Sequence, residues 1–186
     1  TVAVLSGLAR PLLEPLLPGW IEPRWFATAD ELMALAPEAE IGWFDLFDRA
    51  AMARAITAGE KLQWLNSIYA GVDGFPLGLL AQRGTIFTNG KGINAIAIAE
   101  FVVMGMLGMA KDFPALVRAA DRHEWLQDAP GKRELAGSRA LVLGAGAIGA
   151  LIETRLAAFD VTVEKVRRSG GAGFLSDSQW RARLAE

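Results

Sequence analysis

The stretch RALVLGAGAIGALIETRLAAF, Arg139–Phe159, decides how this chain is read. It opens on a short apolar run, Ala140 to Leu143, with the length of a buried strand. It passes straight into Gly144, Gly146 and Gly149, and leaves them with Ile148, Leu151, Ile152, Leu156 and Phe159 at helical spacing. The glycine spacing alone is weak evidence, because the chain holds 20 glycines in 186 residues. The strand before and the helix after give it meaning. In a strand–turn–helix that cradles a pyrophosphate, Gly144 makes the tight turn, Gly146 lets the backbone approach the phosphates, and Gly149 lets the helix pack on the strand. The first helical residues, Ala147 and Ile148, then present N–H groups that no helical carbonyl can reach. The plainer alternative is a strand–turn–helix with incidental glycines.

Beyond this helix, Val161 to Val166 alternates like a second strand, whose C-terminal end is where an adenosine ribose is read in such a unit. Arg167 stands there, 18 residues after Gly149, followed by Arg168 and Ser169. A carboxylate at this place would accept from a ribose 2′-hydroxyl and mark an NAD site. Two guanidinium groups and a hydroxyl instead suit a 2′-phosphate, so the expected cofactor is NADP, with NAD as the alternative. Because Gly170 and Gly171 follow at once, a solvated basic loop is the other reading of Arg167 and Arg168.

Working toward the N-terminus, short apolar runs alternate with helical segments, the pattern of a parallel sheet with helices on its faces. Val2–Leu5 reads as a strand, Trp20–Phe26 as a second one kept at an edge by Pro23, and Ile41–Phe44 as a third. Leu62–Ile68 and Thr85–Thr88 read as two more. Thr28 with Glu31 has capping-box spacing ahead of Leu32 and Leu35, and Asp48 can cap a helix through Met52 and Ile56. From Ala95 to about Met109 the pattern predicts one long buried helix, stopped before Pro114, and a polar segment then runs to Leu135. A domain boundary is expected near Asn94, giving domains 1–94 and 95–186.

Composition narrows the class. The chain is 52% hydrophobic with a net charge of −2, so it is globular and lacks the basic excess of a nucleic-acid binder. It has no cysteine, which removes disulfides and thiol catalysis. The most apolar stretch is interrupted by Glu100 and closed by Lys111 and Asp112, too short for a membrane span; the expected location is the cytoplasm. The single histidine, His123, lies between Arg122 and Glu124 and reads as a solvated or capping residue. With no second His or Cys, no metal site is expected.

Once the glycine site is placed, most of the chain resembles the D-isomer-specific 2-hydroxyacid dehydrogenase family, which includes glyoxylate and hydroxypyruvate reductases. Leu65–Asp73 looks like the family's strand-end loop in the substrate domain, and Asn89–Glu100 like the segment leading into its interdomain helix. The resemblance implies an α/β fold: a flavodoxin-like substrate domain followed by the first part of a Rossmann dinucleotide-binding domain, both with parallel sheets. It implies that the amides of Ala70 and Gly71 hold the substrate carboxylate, that Ala95, Ile98 and Glu100 lie near the cofactor or pin the hinge helix, and that residues 100–135 form a homodimer. At Ile98 the family often has a hydroxyl, so a side-chain bond to the cofactor is not expected there. The implied activity is NAD(P)H-dependent reduction of a small 2-keto acid to the D-2-hydroxyacid. The family's catalytic Arg, Glu and His would fall beyond residue 186, so this chain by itself is expected to be inactive. A dinucleotide-sensing, non-catalytic corepressor-like protein of the same fold is the alternative.

Overall fold

The computed structural model describes residues 1–185; Glu186, the last residue of the second expected domain, lies outside the described residues. The chain forms two compact units, Thr1–Lys91 and Gly92–Glu186. Gly92–Asn94 group with the second unit because the Ala95 amide donates to the Gly92 carbonyl (3.0 Å), making these residues the entry turn of the helix that follows.

The first unit is a five-stranded sheet flanked by short helices. Its strands are β1 (Val2–Ser6), β2 (Glu22–Phe26), β3 (Ile41–Trp43), β4 (Trp64–Asn66) and β5 (Ile86–Thr88), all parallel, in the order β2-β1-β3-β4-β5. This is the flavodoxin-like order expected. Pro23 pairs with Ala3 on the edge strand β2, where a missing N–H leaves no interior ladder broken. The helices are α1 (Arg10–Leu13), α2 (Ala29–Leu35), α3 (Arg49–Ala58) and α4 (Leu77–Arg83). Local chemistry sets two of their starts. The Glu31 amide donates to Thr28 Oγ1 (3.2 Å) while Glu31 Oε2 accepts from the Thr28 amide, a complete capping box for α2. Asp48 Oδ1 accepts from the Ala51 amide (2.9 Å) and caps α3. Val4 and Leu65 from the sheet, with Leu32, Met52, Ile56 and Leu80 from the helices, make the core.

The second unit holds α5 (Ala95–Ala110), α6 (Phe113–Asp121), β6 (Arg139–Leu143), α7 (Ala147–Ala157) and β7 (Thr162–Val166). The strands β6 and β7 are parallel, with Leu143 opposite Val166. Ala99 of α5 packs with Ile152 and Leu156 of α7 and with Val161, joined by Val102, Val103 and Met106. Ile148 and Phe159, expected on the packed face, stay outside this cluster; α7 begins just before the first and ends two residues before the second.

Three features differ from the sequence reading. Helix α5 buries only Ala95, Ala99 and Ala110 fully, and Phe101 is 70% exposed, so it is not the buried helix expected. Glu100 apart, it is apolar on every side, which leaves no polar face to mark how much of it packs; the stripe of Ala99, Val102, Val103 and Met106 does so. Glu100 lies on an exposed side of this helix. Its side chain is 64% exposed and meets Arg155 Nη2 at 3.5 Å. Helix α6 lies inside the supposed polar segment. Pro114 begins it rather than merely ending α5, since proline loses nothing in a first turn, where its N–H would be unpaired. Helix α4 carries a single buried residue, Leu80, too little periodicity to be seen, although Pro76 before it and Gly84 after it, at φ 70°, mark its ends.

Candidate functional site

The second unit's site is built by the strand-to-helix turn. Gly144 leaves β6 with φ 141°, in the region that L side chains avoid, and its amide turns back onto the Val142 carbonyl at 3.0 Å. Gly149 is buried in the first turn of α7. A Cβ there would lie 2.0 Å from the Gly144 carbonyl oxygen and 3.4 Å from Val142 Cγ1, so only glycine lets the helix start this close to the strand end. Gly146 is different: its φ of −85° suits any residue, and a Cβ would meet nothing within 4 Å. Its lack of a side chain leaves open space in front of the helix. Gly146 is the N-cap and offers no side-chain acceptor, so the Ala147, Ile148 and Gly149 amides keep the unpaired donors and positive partial charge of a helix start. Gly144, Gly146, Ala147 and Ile148 are all exposed. The arrangement fits a pyrophosphate by shape and by charge.

The register of the two strands brings the basic pair to the same edge. Because Leu143 pairs with Val166, the next residues, Gly144 and Arg167, leave neighbouring strand ends about 4.8 Å apart. Arg167, Arg168 and Ser169 are exposed. The Arg167 guanidinium lies 5.7 Å from the Phe174 ring centre, and Lys165 lies 5.2 Å from the same ring while pairing with Glu153. The chain doubles back to allow this: the Arg167 amide donates to Leu175 (2.9 Å) and the Leu175 amide to Lys165 (2.9 Å). Among the described residues neither Arg167 nor Arg168 has a carboxylate partner. Both charges remain available to an outside anion. His123 is exposed, with φ 55°, as the left-handed residue closing α6, which is a capping position.

In the first unit, the loop Ser67–Gly71 leaves the C-terminal end of β4. Ser67 is 1% exposed; Ala70 and Gly71 are exposed. Among the described residues the amides of Ala70 and Gly71 have no acceptor, and a Cβ on Gly71 would approach only Asp73 Oδ2, at 3.9 Å. Beside the loop lies a cavity of about 700 Å³ at the ends of β1 and β3, the point where the strand order reverses and open α/β sheets bind ligands. Trp43, Phe47 and Tyr69 line it together with Trp25 and Arg10. Phe44 and Phe75 do not. Both are core residues, and Phe75 packs on Phe87 with ring centres 4.8 Å apart. The Arg49 guanidinium sits 3.9 Å from the Tyr69 ring centre. At the other side of the cavity Arg10 hydrogen-bonds Glu14, and that bond holds the Glu14 carboxyl below the ordinary carboxylate range. Sequence reasoning passed over Asp45 and Ser67. The available signal was their place just after β3 and β4, at the ligand-binding edge of a parallel sheet.

Among the described residues no helix is long and apolar enough to cross a membrane. Residues 103–180 match the family model described as D-isomer specific 2-hydroxyacid dehydrogenase, NAD binding domain. The chain is 27% identical over 167 residues to D-3-phosphoglycerate dehydrogenase of Mycobacterium bovis, covering 87% of this chain and 31% of that protein. A shorter similarity, 38% over 66 residues, joins it to erythronate-4-phosphate dehydrogenase of Shewanella oneidensis, covering 36% of this chain and 18% of that one. Among solved structures, a D-isomer specific 2-hydroxyacid dehydrogenase family protein from Aeromonas salmonicida superposes with a TM-score of 0.74 at 27% identity, covering 94% of this chain and 56% of that one. A glyoxylate reductase from Paecilomyes thermophila shares the fold, with a TM-score of 0.73 at 16% identity, over 95% of this chain and 60% of that one. The chain therefore spans about a third of the length of the curated relative first described and a little over half of these structures.

Proposed function

With residues 103–180 related to the NAD-binding domain of the D-isomer specific 2-hydroxyacid dehydrogenases, we propose that this chain serves an oxidoreductase that reduces a small 2-keto acid, of the glyoxylate or hydroxypyruvate kind, to its D-2-hydroxyacid. The observation that carries the reading is the turn at Gly144–Gly149, where a Cβ on Gly149 would overlap backbone and the place of a Cβ on Gly146 is open. A nicotinamide dinucleotide bound there would supply the hydride. The chain's own residues bind and orient. The amides of Ala147, Ile148 and Gly149 meet the pyrophosphate with the positive end of α7 behind them. Arg167, Arg168 and Ser169 meet a ribose 2′-phosphate, which makes NADP the preferred cofactor over NAD. In the first unit, the open amides of Ala70 and Gly71 hold the substrate carboxylate, an anion site of the backbone kind. The first unit is thus the substrate domain and the second the cofactor domain.

Two further parts of the reading concern assembly and location. The exposed apolar side chains Phe101, Met104 and Met109, with Phe113 and Trp125 in the same stretch, suit a homodimer through residues 100–135. The location proposed is the cytoplasm, and the absence of affinity for nucleic acid fits the net charge of −2.

The test of the cofactor assignment is the affinity of the wild-type chain and of Arg167→Asp for NADPH and NADH, followed by nicotinamide fluorescence. One charge-assisted bond contributes roughly 1.5–3 kcal/mol, so the NADPH/NADH preference should fall about 10- to 150-fold. An unchanged ratio refutes the phosphate-reading role. Failure of the wild type to bind either dinucleotide refutes the site.

A further inference from the structure

We propose that Asp45 is a positioning residue which sets the Ser67–Gly71 loop for carboxylate binding; the inference rests on the reading of Ala70 and Gly71 as the substrate's anion site. Asp45 lies two residues beyond the end of β3 and reaches across to the end of β4. Its carboxylate gathers three donors: Trp43 Nε1 on Oδ2 (2.7 Å), the Ile68 amide on Oδ2 (2.7 Å) and Ser67 Oγ on Oδ1 (2.6 Å). Ser67 passes the constraint on, since its Oγ accepts from the Tyr69 amide at 3.0 Å. Two consecutive loop amides, those of Ile68 and Tyr69, are therefore held directly or through one hydroxyl by a single carboxylate.

The far side of the loop is held by backbone acceptors. The Gly90 amide donates to the Tyr69 carbonyl (3.1 Å) and Asn89 Nδ2 to the Ala70 carbonyl (2.8 Å). Between these clamps only the Ala70 and Gly71 amides are left without an acceptor among the described residues. Asp45 thus consumes the donors that would otherwise compete for an incoming anion and fixes the direction of those that remain. A carboxylate suits this because all three groups donate to it. An amide in its place could keep its oxygen for Trp43 and Ile68 and turn its NH₂ to Ser67 Oγ, but the Ser67 hydroxyl would then lose its acceptor. The buried Ser67 has no water to fall back on.

The experiment uses the 186-residue chain, ¹⁵N-labelled, with oxamate as the 2-keto acid mimic, and compares wild type, Asp45→Asn and Ser67→Ala. Circular dichroism checks that each variant is folded, and Ser67→Ala keeps the question open should Asp45→Asn fail to fold. In the wild type the Ala70 and Gly71 amide resonances shift on titration. In both variants the half-saturating oxamate concentration rises at least tenfold and NADPH and NADH affinity, read in the other unit, stays unchanged; the Ile68 and Tyr69 amides lose protection from hydrogen exchange in Asp45→Asn, and the Tyr69 amide alone in Ser67→Ala, where Asp45 still holds Ile68. Variants that lose this protection but titrate oxamate like the wild type overturn the positioning role and leave the carboxylate site standing. A wild type whose Ala70 and Gly71 resonances ignore oxamate overturns the carboxylate site and the positioning role with it.

Discussion

Replacing Gly149 by alanine tests the turn most directly. A Cβ on this residue would fall 2.0 Å from the Gly144 carbonyl oxygen, and Cβ atoms essentially never come within 3.0 Å of a neighbour, so helix and turn must separate by about 1 Å. The obstacle is backbone, which cannot rotate out of the way as a side chain can. Overpacking of this kind costs typically 1–3 kcal/mol, and a backbone obstacle belongs at the upper end, near ~3 kcal/mol. The exchange also removes a glycine from a helix, a gain of about 1 kcal/mol. The net loss is therefore about 2 kcal/mol, or a fall of roughly 8–16 °C in the melting temperature of the second unit for a unit of this size. Thermal unfolding followed by circular dichroism measures it, with Gly146→Ala as the partner experiment. That substitution meets nothing within 4 Å at an ordinary φ, so it should cost no more than the roughly 1 kcal/mol by which glycine betters alanine at an N-cap, and melt above Gly149→Ala. It should nevertheless weaken NADPH and NADH binding, because the methyl group would stand in the open space assigned to the pyrophosphate. A Gly149→Ala chain that melts with the wild type refutes the close-packing argument.

Two stability predictions concern the units separately. Asp48→Ala removes the side-chain acceptor at the start of α3 and should destabilise the first unit by about 1 kcal/mol, read from urea unfolding; the NADPH affinity of the second unit should not move. Leu156→Ala empties a fully buried position where α5, α7 and Val161 meet and should cost about 2–5 kcal/mol, seen as early loss of protection from hydrogen exchange across 95–166 while 1–91 keeps its own; equal loss across 1–91 would contradict the placing of Leu156 in the core of the second unit.

How much could be read in advance differs between elements. The strands β1, β3, β6 and β7 and the capped helices α2 and α3 were legible because their signals are local: alternation or short apolar runs, and a capping side chain three residues from the amide it receives. Helix α6 was not, since Pro114 ends one helix and begins another with the same chemistry. The exposure of α5 was not, because an all-apolar helix says nothing about which of its sides finds a neighbour.

The glycine motif divides along the same line. Its spacing, the strand before it and the helix after it were properties of the sequence, as was the arrival of Arg167 at the end of the following strand. Only the tertiary structure separated the glycines by role. Gly149 is required by a backbone oxygen 2.0 Å from its missing Cβ, whereas Gly146 meets nothing. Likewise, nothing local ties Asp45 to Ser67, 22 residues away. A parallel sheet joins neighbouring strands through long crossovers, so the side chains that meet at its C-terminal edge are distant in sequence, and their hydrogen bonds exist only once β3 and β4 lie side by side.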